Sequence, residues 1–150
     1  VGFFDEKYKT AEDFDFFARV ANKYPVAYIN LPTMRIKRGV TGQLSSPERQ
    51  IDTYKAWVDI AIRLWMNDEN YYTKHKKFVD WRISHYYYSL GRVYYMRNRY
   101  TESLRAFKKS LRLNYKQKST YIYTFAAFCM IILCALFKAI YKGYLPYFLD

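Results

Sequence analysis

The residues best suited to chemistry stand near the start of the chain, where Glu12, Asp13 and Asp15 fall close together and Arg19 follows one helical turn after Asp15. A carboxylate within hydrogen-bond reach of a hydroxyl can take its proton as the oxygen attacks, so this cluster suits general-base catalysis. Thr10 is a plausible N-cap for a helix beginning here, with Phe14, Phe17, Ala18 and Ala21 at helical spacing and Tyr24-Pro25 ending it. In a first helical turn the dipole and the free N–H groups favour a carboxylate anion, which suits Asp13 to accept a proton. Asp15 lies about 200° further round the helix, so the two acids would not share one proton. The same acids also serve simply to complement the dipole and cap a helix, with no chemistry at all.

Other side chains offer less. Cys129 and Cys134 lie in an apolar run, at neither the spacing of a metal knuckle nor that of a redox pair, and read as small buried apolar residues. His75 and His85 stand alone, with no His-Glu-x-x-His pattern, so no metal ligand is assigned within the chain.

The elements that must position these residues are mostly helical. Residues 26–30 and 34–38, separated by Leu31-Pro32, read as two short strands, with Val26, Tyr28 and Ile29 suited to a sheet. Ser45 or Ser46 caps a helix over 47–67, with Pro47 at its start, Glu48 placed for a capping box, and Ile51, Tyr54, Val58, Ala61, Ile62 and Trp65 on its apolar face. Further helices are expected over 72–97 and 101–113, and a fifth from about Ser119.

Composition sets the outer bounds. Of the 150 residues, 51% are hydrophobic and 18 are Tyr, enough apolar surface for a core and too much for a disordered chain. The chain opens at Val1 in mid-pattern, with no initiator Met and no signal peptide, and reads as a fragment. A net charge of +12 favours an acidic partner: nucleic acid, anionic lipid or a phosphorylated substrate. Lys and Arg crowd residues 74–118, so the basic excess belongs to the tail.

The order Gly2-Phe3-Phe4-Asp5-Glu6, then Glu12-Asp13-Phe14-Asp15, then Arg19, then an apolar strand, resembles the C-terminal part of a glycosyltransferase family 2 catalytic domain. The resemblance implies the truncated end of a GT-A α/β domain over residues 1–46 and an inverting transfer from a nucleotide-sugar donor to a saccharide or lipid-linked acceptor. Asp13 would be the catalytic base, with Glu12 and Asp15 as acceptor-site candidates. The product class would be a cell-surface polysaccharide or glycoconjugate. A divalent metal, Mg or Mn, is implied with its ligands upstream of Val1, so the fragment should not catalyse alone. Many relatives place a His after an Arg in the segment following the strands, where this chain has Arg35-Ile36-Lys37-Arg38. Lys37 and Arg38 are therefore candidates to contact donor phosphates, since a cation stabilises a departing diphosphate.

Downstream, Tyr87, Leu90, Gly91, Tyr94, Ser103, Phe107 and Ser110 resemble the size pattern of one tetratricopeptide repeat within a helical region over 47–118. One repeat cannot bury its faces alone, so neighbouring helices must cover it. The basic residues among the tyrosines come with no nucleic-acid motif, and no nucleic-acid partner is expected. Residues 119–150 form a hydrophobic helix and tail, uncharged from Ser119 to Phe137 and borderline in length for a membrane span. It suits either a buried helix of the bundle or a membrane, with Tyr121, Tyr123, Tyr141, Tyr144 and Tyr147 as interfacial rings. The expectation is a mostly α chain with a small β element, attached to an anionic membrane surface on the cytoplasmic face of the plasma membrane, peripherally or by one C-terminal span. The rival expectation is a noncatalytic, tetratricopeptide-like interaction module at the membrane.

Overall fold

A computed structural model describes residues 1–35 and 49–144, with side chains as far as Lys138. Among the described residues the chain is all-helical: α1 is Glu12–Lys23, α2 Gln50–Ala61, α3 Glu69–Met96, α4 Tyr100–Leu113 and α5 Lys118–Tyr144. It divides into two compact units, Val1–Val79 and Asp80–Asp150, with the division falling inside α3.

In the first unit α2 passes directly into a π-helical turn, Ile62–Met66, closed by a 2.9 Å bond from the Asn67 N–H to the Ile62 carbonyl. Such a turn carries one residue more than an α-turn and shifts the side chains that follow around the helix. Its Leu64 packs with Phe14 and Ala11 against a small core of Tyr8, Ala56 and Ile60. Phe14 also lies 6.1 Å, centroid to centroid, from both Trp57 and Trp65, and Trp65 stands 6.1 Å from Phe78.

In the second unit the later part of α3 and α4 form an antiparallel hairpin. The pairing shows its direction: Ser103 Oγ donates to the Gly91 carbonyl and Ser110 Oγ to the Ser84 carbonyl, both at 2.8 Å. Asn98 makes the turn in a left-handed conformation, φ 58°, and the Arg99 N–H returns 2.9 Å to the Tyr94 carbonyl. That is the Schellman closure, in which Asn tolerates a backbone most residues avoid. The first turns of α5 then cover the hairpin with Thr120 and Ala127, both fully buried.

Two expectations are corrected. No strand is present among the described residues: 26–30 is exposed and without regular structure, and Tyr28 is 87% accessible. β-branched and aromatic residues favour a strand only where another strand accepts their backbone hydrogen bonds. Thr10 does not cap α1; it is buried, and Ala11 takes the cap position at φ 70° with no side-chain hydrogen bond. The expected strand at 34–38 and the helix start at 45–48 lie largely outside the described residues, as do the donor-phosphate candidates Lys37 and Arg38.

Candidate functional site

The acidic motif folds into two distinct environments. Asp15 is fully buried on the inner side of α1, where it accepts from Arg19 Nε at 2.9 Å and from Arg63 of the π-helical turn. Arg19 also reaches the start of the chain, giving Nη1 to the Val1 carbonyl and Nη2 to the Phe3 carbonyl at 2.7 Å. One guanidinium thus fixes the Gly2-Phe3 segment to α1, and Phe4 packs 4.9 Å from Phe16 beside it. Asp13 lies on the exposed side, with Oδ1 accepting from the Phe14 N–H at 2.7 Å, while Glu12 is half-buried at the helix start. The three sequence-predicted acids therefore do not converge: Asp15 has its oxygens engaged by cations, and Asp13 faces solvent.

Beside this motif lies a cluster that the spacing of residues did not suggest. Asp59 of α2 accepts from Lys7 Nζ at 2.8 Å and from Tyr8 Oη at 2.7 Å. These two donors hold the Asp59 carboxyl below the usual carboxylate range, while burial, with Asp59 adding to it, pushes the Tyr8 phenol up. The surrounding surface cleft, of about 450 Å³, is lined by Lys7, Lys9, Lys55 and Asp52 among others. The only signal for these partners in the sequence was charge interrupting an apolar helix: Asp59 and Arg63 sit within the run that carries Val58, Ile60, Ala61 and Ile62. Among the described residues no group of three His, Cys, Asp or Glu side chains is placed to hold a metal ion.

In the second unit the predicted repeat positions meet. Leu90, Gly91, Tyr94, Ser103, Phe107 and Ser110 are buried, and Tyr87 is half-buried. Gly91 lies against the Phe107 ring so closely that a Cβ there would come within 2.5 Å of it. The Gln117 side-chain amide lies 3.2 Å from both the Ser84 and the Ser110 hydroxyls, tying the α4–α5 connection to the hairpin. Tyr123 of α5 closes the packing, 5.8 Å from Phe107 and 5.9 Å from both Tyr88 and Tyr95. Arg92, exposed on α3, lays its guanidinium 5.8 Å from the Tyr88 ring and 5.5 Å from the Tyr123 ring.

Residues 80–150 carry twelve Lys and Arg against three acids, whereas residues 1–79 carry thirteen against ten. The basic excess therefore sits in the second unit. One helix of the described chain, over Lys118–Lys138, is long and apolar enough to cross a membrane, and 11% of its most apolar stretch is buried.

A tetratricopeptide-repeat family model matches residues 84–116, which is the hairpin of α3 and α4 with the connection to α5. No curated protein and no solved structure matches the chain.

Proposed function

We propose that the chain presents a tetratricopeptide-like helical hairpin as a protein-interaction module held beside a membrane by α5. The observation that carries this reading is the Gly91–Phe107 crossing with Tyr123 of α5 laid over it, a repeat-type hairpin with its covering helix. The partner is an acidic peptide segment, because the unit carries four cations for each acid and Arg92 offers an exposed guanidinium braced by two tyrosine rings. The basic excess ahead of α5 suits the anionic lipid of a cytoplasmic leaflet. In a panel of acidic and neutral peptides, the acidic ones should bind with salt-sensitive affinity, and Arg92→Glu should weaken them about tenfold. Equal binding of neutral peptides, or acidic binding untouched by Arg92→Glu, would remove this face as the site.

A second reading concerns the first unit, as the end of an inverting nucleotide-sugar glycosyltransferase. The observation favouring it is the division of labour in the acidic motif: Asp15 is committed to Arg19 and Arg63, and Asp13 stands free of that cluster at the exposed start of α1. Asp13 takes the proton of the acceptor hydroxyl, Glu12 orients the acceptor beside it, and Asp15 positions α1. Lys37 and Arg38, outside the described residues, are the candidates for the donor diphosphate, where a divalent metal would add positive charge when bound. In a longer protein with nucleotide-sugar transferase activity, Asp13→Asn should remove sugar transfer and retain donor binding. Retained turnover in that variant would take the role of base away from Asp13.

A further inference from the structure

The helix α5 has two faces in different use. At about 100° per residue, Thr120, Tyr123 and Ala127 fall on one stripe, and this is the stripe that covers the hairpin. Tyr121, Ile122, Phe125, Phe128 and Ile132 fall on the opposite stripe, and none of them is covered: Ile122 and Phe125 are each 70% accessible. That outer stripe continues uncharged through Leu136. Lys138, about three turns beyond Ala127, returns to the hairpin-side stripe.

This distribution does not suit a helix surrounded by hydrocarbon. The first turns of α5 are bound on one side to a strongly basic hairpin, which a bilayer core would not admit. With one side of its first turns occupied by the hairpin, the helix can offer lipid only its outer apolar stripe there, and its Tyr115, Lys116 and Lys118 entry suits the headgroup boundary. We infer that α5 lies along an anionic bilayer as an in-plane anchor, with its outer stripe in the lipid and its hairpin-side stripe on protein and water. The inference rests on the membrane attachment proposed above and specifies its geometry and lipid class. Anionic headgroups are chosen over neutral ones by the twelve-to-three excess of basic side chains in this unit.

The two native cysteines report on this arrangement without substitution. Cys129 lies two turns beyond Ile122, on the outer stripe, and Cys134 lies two turns beyond Ala127, on the other. Both thiols are free, Cys129 half-buried and Cys134 exposed. The full chain is mixed with phosphatidylcholine vesicles, with or without phosphatidylserine, and the rate of labelling by a membrane-impermeant maleimide is read at each cysteine. With phosphatidylserine present, Cys129 should slow by about tenfold or more while Cys134 keeps its rate within about twofold. Flotation with the vesicles and equal shielding of both cysteines would overturn the in-plane geometry in favour of a span and leave attachment standing. Absence of flotation with either vesicle would overturn attachment itself. Shielding of Cys129 that rises with protein concentration and needs no lipid would assign the outer stripe to a second copy of the chain. Phe125→Asp should abolish flotation and leave the helical circular dichroism unchanged, and retained flotation would place the lipid contact elsewhere.

Discussion

Gly91→Ala is expected to destabilise the second unit by about 2 kcal/mol, against the sign that helix propensity alone predicts. In an open helix that exchange gains about 1 kcal/mol, because glycine is a poor helix former. Here the added methyl would stand 2.5 and 2.6 Å from two atoms of the Phe107 ring. The ring has no room to yield, since Phe107 is fully buried with Tyr88 and Tyr123 about it. Overpacking of this kind costs roughly 1–3 kcal/mol, and moving α4 outward would also stretch the Ser103 bond to the Gly91 carbonyl. Urea unfolding of the wild type and of Gly91→Ala measures the difference. The pair Gly91→Ala with Phe107→Leu closes a double-mutant cycle, in which the smaller side chain should restore part of the loss. A Gly91→Ala chain as stable as wild type would show that the helices cross without needing the glycine.

Asp15→Ala is expected to cost the first unit about 3 kcal/mol, at the low end of the roughly 3–5 kcal/mol seen when one partner of a buried ion pair is removed. Asp15 is 0% exposed while its partners Arg19 and Arg63 are 18% and 40% exposed, so the orphaned guanidiniums can recover part of their hydration. The loss remains large because the two cations are left facing each other, and because Arg19 also anchors the Val1 and Phe3 carbonyls. Hydrogen exchange should therefore accelerate together in α1 and in the first residues of the chain. The exposed pair of Lys7 with Asp59 makes the comparison: both side chains are more than half accessible, and Lys7→Ala should cost under about 1 kcal/mol. If Asp15→Ala proved as mild as Lys7→Ala, the buried cluster would not be what holds α1.

The helices were the legible part of this chain, and the reason is local. The starts and ends of α3 and α4 and the start of α5 follow from periodicity and from the polar break around Asn98, and the structure places them within about three residues of expectation. Gly91, Ser103 and Phe107 were also readable, because a hairpin between consecutive helices has short sequence separation and a characteristic order of small and large residues. What could not be read was set by partners remote in sequence. Val26, Tyr28 and Ile29 have strand-forming side chains, yet a strand depends on a neighbour, and the described chain offers none. Asp15 read as an acceptor-site candidate because Arg63, which neutralises it, comes from a helix far along the chain. Tyr8, Lys7 and Asp59 were missed for the same reason.

The cap of α1 carries a consequence for which residues its position accepts. Ala11 holds a left-handed backbone, φ 70°, that costs a residue with a Cβ roughly 1–2 kcal/mol, and its methyl packs against the core of Tyr8, Ala56 and Ile60, where a buried carbon returns about 0.8 kcal/mol. The second term recovers only part of the first, so glycine should be tolerated immediately before Glu12 and Asp13 at no cost in stability. A β-branched residue meets the steric cost in full. The residues this position accepts are therefore the small ones and those, such as asparagine, that tolerate a left-handed backbone.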